Sequence, residues 1–191
     1  MIRLLNDRRI PVWLHDVFGE KMPPATVLAI LLFGGLLTAA LWARYPELAQ
    51  DRAAWRTVAA LALIFDIFAG CAANFTQSTS NHYAADSRKR ILFLAVHIHL
   101  PLVALLLQTD LALSFAVWAC TIAGASLVNA LIGRRSQTFA AGVLLAAGLG
   151  CVPMLPFASP FMPVVCLLFL LKVLYGFAVD HYGVAAGKSS S

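Results

Sequence analysis

Charged side chains are scarce in this sequence, and their scarcity is the first constraint on its fold. Only 12% of the 191 residues are charged, whereas 61% are hydrophobic and the mean hydropathy is +0.82. Soluble domains typically carry about 25% charged residues. The sequence also lacks a long polar region that could form a soluble domain. It therefore indicates an integral membrane protein, and no nucleic-acid partner is expected.

The sequence motifs of common metal and phosphate chemistry are missing as well. No C-x-x-C pair occurs, so neither a redox motif nor a zinc knuckle is indicated by the four cysteines, Cys71, Cys120, Cys151 and Cys166. A phosphate-binding glycine loop, a G-x-S-x-G elbow and an H-E-x-x-H sequence are absent too. We therefore expect no cofactor and no resident metal.

Apolar runs are what the sequence has in abundance. Each run is long enough to cross a hydrocarbon layer of about 30 Å as a helix. They predict an all-α, polytopic membrane protein that forms one domain over residues 1–191, with about six transmembrane helices and the lipid bilayer as its surroundings. The predicted spans are 25–43, 54–75, 91–107, 111–132, 138–157 and 162–179.

The leader, residues 1–23, combines basic residues with apolar residues at helical spacing. Pro11 is suited to the first turn of a helix. A short amphipathic helix lying at the membrane interface is therefore predicted, and a disordered basic leader is the alternative. The apolar residues of this helix would be Ile10, Trp13, Leu14, Val17 and Phe18.

The distribution of Lys and Arg between the spans gives the predicted orientation. One side carries ten of them, which are Arg3, Arg8, Arg9, Lys21, Arg88, Lys89, Arg90, Arg134, Arg135 and Lys188. The other side carries three, which are Arg44, Arg52 and Arg56. Cytoplasmic loops carry the excess of basic residues. Both termini are therefore expected to be cytoplasmic, in a multi-pass protein of the inner or plasma membrane.

Two charged residues lie inside predicted spans, Asp66 in the second and Lys172 in the sixth. A charge at the bilayer centre costs about 2.5–3.5 kcal/mol on insertion scales. With the predicted orientation, both lie about 11–13 Å from the cytoplasmic ends of their helices, and His97 and His99 lie about 9–12 Å deep. We expect these groups to meet, although the two histidines should point about 200° apart, so that only one faces the interior.

Further polar residues extend this predicted cluster toward the cytoplasm. Asp66, Gly70 and Asn74 are spaced four apart on one helix face, and Asn129 lies just inside the fourth span. Together they predict a polar cleft that opens to the cytoplasm. The alternative is an ion pair between Asp66 and Lys172 that serves packing alone.

A polar loop is predicted after the second span. Its hydroxyl and amide groups could bind a lipid headgroup, a phosphate or a peptide, and the alternative is a plain polar turn. The loop residues in question are Gln77, Ser78, Asn81 and His82.

Ser78-x-x-x-His82, together with scattered Asp and His residues, resembles the alkaline ceramidase and adiponectin-receptor superfamily of seven-helix zinc hydrolases. The resemblance implies a zinc site, for which Asp66, His82, His97 or His99, and His181 are the candidate ligands. That family has an H-x-x-x-H pair on its last helix, whereas this chain has Asp180-His181 there and is one helix short.

Three functional hypotheses follow. We favour a small protein that binds or transports a solute or lipid at the Asp66–His97–Lys172 cluster, because the residues present make no complete catalytic set. A lipid-modifying intramembrane enzyme, such as a zinc hydrolase, is the second hypothesis. The third is a non-catalytic accessory subunit that assembles with other membrane proteins or with copies of itself.

Overall fold

The computed structural model describes residues 5–50 and 52–183, and it is 75% helical. Arg3 and Lys188, which were counted for the orientation, lie outside the described residues. The helices are α1 (His15–Phe18), α2 (Pro24–Arg44), α3 (Ala54–Ala73), α4 (Gln77–Ala84), α5 (Ser87–Val96), α6 (His99–Leu107), α7 (Leu111–Ala130), α8 (Gln137–Cys151) and α9 (Met162–Leu170). Short 3-10 helices cover Val12–Leu14, Pro46–Ala49 and Val152–Met154.

Five helical segments are long and apolar enough to cross a membrane by length and composition, which confirms the predicted all-α class. They are Pro24–Arg44, Ala54–Ala73, Ser87–Leu107, Leu111–Ala130 and Gln137–Met154. These segments contain the first five predicted spans to within a few residues at each end.

The sixth predicted span, 162–179, is a shorter helix. Helix α9 continues directly into a π-helix, Leu171–Phe177, and the two together cover Met162–Phe177. At 1.5 Å per residue this segment is at most about 24 Å long. Val165 and Phe169 have no exposed surface, and α9 contacts α3, α6, α7 and α8. The helix is therefore enclosed by its neighbours rather than by lipid.

Successive apolar helices run in alternate directions between two ends of the bundle. At one end, Arg52 Nε donates to the carbonyl of Leu107 (2.8 Å), and the ring of Tyr45 packs on that of Phe161. At the opposite end, Gln137 Nε2 donates to the carbonyl of Ala178 (3.0 Å). These contacts join residues that are distant in sequence, so a polar contact links different segments at each end of the bundle, with an aromatic contact added at the first end.

The N-terminal segment differs from the single amphipathic helix predicted for it. Strands β1 (Arg8–Arg9) and β2 (Lys21–Met22) pair antiparallel and enclose α1, which ends at Gly19 with φ +70°. Residues 12–18 are helical, first as a 3-10 turn and then as α1, and the glycine with positive φ ends the helix. This hairpin, residues 8–22, buries Phe18 and Met22 against α2 and α3.

One other local prediction was wrong, and the third predicted span is confirmed in extent but not in continuity. The polar segment after α3 is the helix α4 instead of a loop, and the Thr76 side chain caps its N-terminus by accepting from the backbone N–H of Thr79. The third span is broken between α5 and α6. Pro101 explains the break. Its ring clashes with the backbone carbonyl of His97, four residues earlier, and proline has no N–H that could donate to that carbonyl. The indole N–H of Trp118 donates to that carbonyl instead (2.8 Å).

Asp110 links two connecting segments at the end of the bundle that contains Arg52. Its φ is +49°, and its two carboxylate oxygens accept from the backbone N–H groups of Ala158 (2.7 Å) and Ser159 (2.9 Å). Burial acts to raise the pKa of Asp110, but these hydrogen bonds outweigh it and lower the pKa below its ordinary value. The carboxylate therefore links the α6–α7 turn to the segment before α9.

We expect Asp110→Asn to lower the free energy of unfolding by about 1 kcal/mol, because the amide presents an NH₂ group to one backbone donor and solvent screens this partly exposed site. Asparagine tolerates the left-handed backbone, so the turn itself is preserved. Since the folded-state pKa is depressed, the contribution is fully present above the unfolded pKa of about 3.9 and is lost as the pH falls through the folded value. Thermal unfolding in detergent between pH 3 and 8 measures the difference.

Glu47→Gln is the matched control, because Glu47 makes its contact with Arg52 through its backbone carbonyl. This variant should unfold within about 0.5 kcal/mol of the wild type. An equal loss in both variants would show that the Asp110 carboxylate contributes nothing specific.

Candidate functional site

An ion pair between α3 and the π-helix forms the centre of the candidate site. Lys172 Nζ lies 2.6 Å from Asp66 Oδ2 and also donates to the Asp66 backbone carbonyl (3.2 Å). The Lys172 side chain is 4% exposed, whereas that of Asp66 is 43% exposed. A buried ammonium needs such a partner in hydrocarbon. The pair joins residues that are 106 positions apart in sequence.

Gly70 and Asn74, one and two turns after Asp66, complete the contact surface for Lys172. A Cβ at Gly70 would lie 2.3 Å from Lys172 Cε and 2.8 Å from its Nζ, so glycine makes room for the lysine side chain. Asn74 Nδ2 donates to the backbone carbonyl of Lys172 (3.0 Å). The predicted stripe of residues spaced four apart therefore faces Lys172 along its whole length.

Both histidines lie beside the ion pair, and the prediction that only one would face the interior was wrong. His99 Nε2 is 3.5 Å from Asp66 Oδ2, and the ring centroids of His97 and His99 are 4.9 Å apart. The 200° separation assumed a continuous helix, but the break before Pro101 turns the two side chains to the same side. His99 Nδ1 is buried, with no hydrogen-bond partner within residues 5–50 and 52–183.

An aromatic stack holds His97 in place. Phe93 stacks on the His97 ring on one side and on the Phe177 ring on the other, with centroid distances of 3.6 Å in both pairs. His97 Nδ1 donates to the Phe93 carbonyl (2.6 Å), so this nitrogen carries the proton and Nε2 is left as an acceptor. The histidine is fixed in orientation by groups on α5 and the π-helix.

These residues surround a cavity of about 370 Å³, within the size range of small-ligand sites. The polar side chains that line it come from the hairpin, α3, α4, α5, α6 and the π-helix. They are Asp16, Asp66, Asn74, Tyr83, Lys89, His97, His99 and Lys172. Apolar walls are formed by Val17, Ala73, Leu92, Phe93 and Val96. The structure therefore brings together five of the six residues predicted for the intramembrane cluster.

Asn129, the sixth predicted residue, belongs to a different contact. Its side-chain oxygen accepts from Arg90 Nε, and Arg90 Nη2 donates to the carbonyl of Ala178 (2.6 Å). Arg90 is only 2% exposed and lies over the Phe177 ring. Arg90 and Asn129 thus stabilise the C-terminal end of the π-helix and do not line the Asp66 cavity.

The four residues predicted as a polar loop line a second, more superficial cavity of about 800 Å³ between α4 and the hairpin. Ser78 Oγ accepts from the backbone N–H of Lys21 (3.2 Å). His82 Nε2 lies 3.1 Å from Lys89 Nζ and 3.4 Å from Asp16 Oδ1. Burial and the nearby Lys89 ammonium lower the pKa of His82, against the opposing effect of Asp16. Gln77, Ser78 and Asn81 are therefore separate from the Asp66 cluster, whereas His82 contacts Asp16 and Lys89, which line the Asp66 cavity.

The candidate zinc ligands do not converge. His82 faces the second cavity, and His181 Nε2 donates to the Tyr175 backbone carbonyl (3.0 Å) while its ring packs on Phe75. Within the described part of the chain, no three His, Cys, Asp or Glu side chains are arranged to hold a metal ion. The residues present therefore do not fit the zinc site that the resemblance implied.

Comparison with known proteins adds no assignment. The chain matches no protein-family model, and neither a curated protein sequence nor a solved structure is similar to it.

Several residues of the site were not predicted from the sequence. Asp16 was not singled out within the leader, and Lys89 was counted for the orientation but was not assigned to the Asp66 cluster. Tyr83 donates to the Asp16 carbonyl (2.6 Å) and so connects α4 to the hairpin at the edge of the cavity. One feature of the sequence did point to the shared direction of the two histidine side chains. This was Pro101, because a proline inside an apolar span predicts a helix break about four residues earlier.

Gly70→Ala should displace the Lys172 ammonium from Asp66 and lower the free energy of unfolding by about 1–3 kcal/mol. The lysine end is flexible and can move, so the cost comes from weakening the ion pair. Gly35→Ala is the control, because a Cβ at Gly35 would meet nothing within 4 Å. There, alanine should be neutral or stabilise by up to about 1 kcal/mol. Thermal unfolding of both variants in the same detergent measures the difference. An equal change in the free energy of unfolding of the two variants would contradict the close contact between position 70 and Lys172.

Proposed function

We propose that the protein binds a small polar solute or a lipid headgroup in the Asp66 cavity, as part of a transport or carrier function. The observation that carries the proposal is the convergence of Asp66, His99 and Lys172, from three different helical segments, on a cavity of about 370 Å³. Ionisable residues within membrane spans are rare and usually mark pathways or binding sites.

The unequal exposure of the two charges supports binding over packing alone. Both the lysine contact and the histidine contact with the carboxylate are made at Oδ2, and the Asp66 side chain remains 43% exposed. A pair that only stabilised packing would gain from enclosing both partners and satisfying every oxygen. Asp66 Oδ1, which takes no part in these two contacts, and the His97 Nε2 acceptor are available to hydrogen-bond a ligand.

The proposed topology has six crossings, with both termini on the cytoplasmic side of the inner or plasma membrane. The ten-to-three distribution of Lys and Arg supports the orientation. The enclosure of α9 and the π-helix by other helices supports counting this short segment as a crossing. In this orientation the Asp66 cavity, beside Lys89 and Asp16, lies in the cytoplasmic half of the membrane.

Asp66→Asn tests the binding function, because the amide keeps the size of the side chain and removes its charge. Native mass spectrometry of protein purified in mild detergent should show a bound species on the wild type, at least tenfold reduced in the variant. Asp110→Asn, the same substitution at the other end of the bundle, should keep the bound species despite its lower stability. Retention by Asp66→Asn, or a wild type without any bound species, would contradict the proposal.

A further inference from the structure

The break at Pro101 opens the bundle beside the site. Helix α6 packs against α3, whereas α5 contacts α4 and α7. The Asp66 cavity occupies the space between α3 and α5, where it is lined by Gly70 and Ala73 on one side and by Leu92, Phe93 and Val96 on the other. The same break that turns both histidines inward therefore also creates the space they face.

Leu92 and Val96 mark where this cavity opens. They are four residues apart on α5 and line the cavity, yet they are 62% and 54% exposed. A residue that both lines a cavity and is more than half exposed stands at the edge of its opening. Helix α5 belongs to a segment with the length and hydropathy of a membrane span, so this opening faces the hydrocarbon of the bilayer.

The charged side chains that line the cavity balance in number, with Asp16, whose side chain is 79% exposed, at its rim. Asp16 and Asp66 carry two formal negative charges, and Lys89 and Lys172 carry two positive ones. With neutral histidines the cavity has no net charge, so it complements a group that carries both signs better than a simple anion or cation. Lys89 and Asp16 lie where the hairpin meets the start of α5, and Asp66 and Lys172 lie deeper.

We propose that the Asp66 cavity binds a zwitterionic phospholipid that reaches it from the bilayer between α3 and α5. This inference rests on the proposed binding function and names the ligand class. The headgroup ammonium donates to Asp66 Oδ1, and the phosphate accepts from Lys89. The acyl chains stay in the membrane and leave the cavity past Leu92 and Val96, which supply the apolar contact that chains require.

Leu92→Trp and Val96→Trp test the opening, because a large side chain there obstructs the passage of a lipid. The protein is placed in nanodiscs of equal parts phosphatidylethanolamine and phosphatidylglycerol, and the lipids retained after gentle release are measured by native mass spectrometry. The wild type should retain phosphatidylethanolamine selectively, and each tryptophan variant should retain at least tenfold less. Thermal unfolding checks that both variants are folded.

Ile91→Trp is the matched control. Ile91 is 65% exposed on the same helix but does not line the cavity, so its replacement should leave retention unchanged. Equal retention in Leu92→Trp, Val96→Trp and Ile91→Trp would overturn the opening between the helices. Selective retention of phosphatidylglycerol would overturn the zwitterionic ligand.

Soluble glycerophosphoethanolamine, which is the headgroup without acyl chains, distinguishes a failure of this inference from a failure of the proposed binding function. Binding of this probe by the wild type, together with no retained phospholipid, would overturn access from the bilayer while the binding function stands. Unchanged retention of phosphatidylethanolamine in Asp66→Asn would instead remove the Asp66 cavity as the binding site, and both proposals would fail.

Discussion

The contact between Lys172 and Asp66 is the interaction on which the rest of the site depends. In hydrocarbon neither charge is tolerated without a partner. The π-helix must therefore lie where Lys172 Nζ reaches Asp66 Oδ2 on α3, at a distance of 2.6 Å. Gly70 leaves space for the lysine side chain, and Asn74 satisfies the Lys172 carbonyl. The residues around the pair are therefore constrained by the geometry that a buried lysine and its carboxylate partner require.

A second constraint is the backbone irregularity on both sides of the cavity. Pro101 removes the hydrogen bond that would close the helix at His97, and Trp118 supplies a donor in its place. Across the cavity, the π-helix provides Lys172 and the Phe177 ring that stacks on Phe93. Irregular backbone at membrane depth is tolerated where it is buried in protein or lines a cavity, and π-helical turns occur frequently at functional sites.

The sequence was sufficient to predict the apolar helices and the meeting of Asp66, His97, His99 and Lys172. Hydrocarbon requires a minimum length of every span and makes every charge within it costly. The length of an apolar run therefore predicts a span, and the position of a charged residue in the run predicts its depth. The directions of the side chains were harder to predict, because they depend on local breaks in the helices. The break before Pro101 turns His97 and His99 to the same side, whereas a continuous helix would point them apart. The role of Arg90 could not be predicted, since its partners, Asn129 and Ala178, come from distant segments and meet it only through packing.

Replacement of both charges at once tests the central claim most directly, that the pair builds a binding site. Asp66→Leu alone leaves the buried Lys172 ammonium unpaired, with a cost of about 3–5 kcal/mol, and Lys172→Met should cost less because the Asp66 carboxylate is partly exposed. The double variant leaves no charge and should recover most of the stability that Asp66→Leu loses. Native mass spectrometry of the double variant is the decisive measurement. The account predicts a folded protein that retains no ligand, and ligand retention equal to that of the wild type would contradict it.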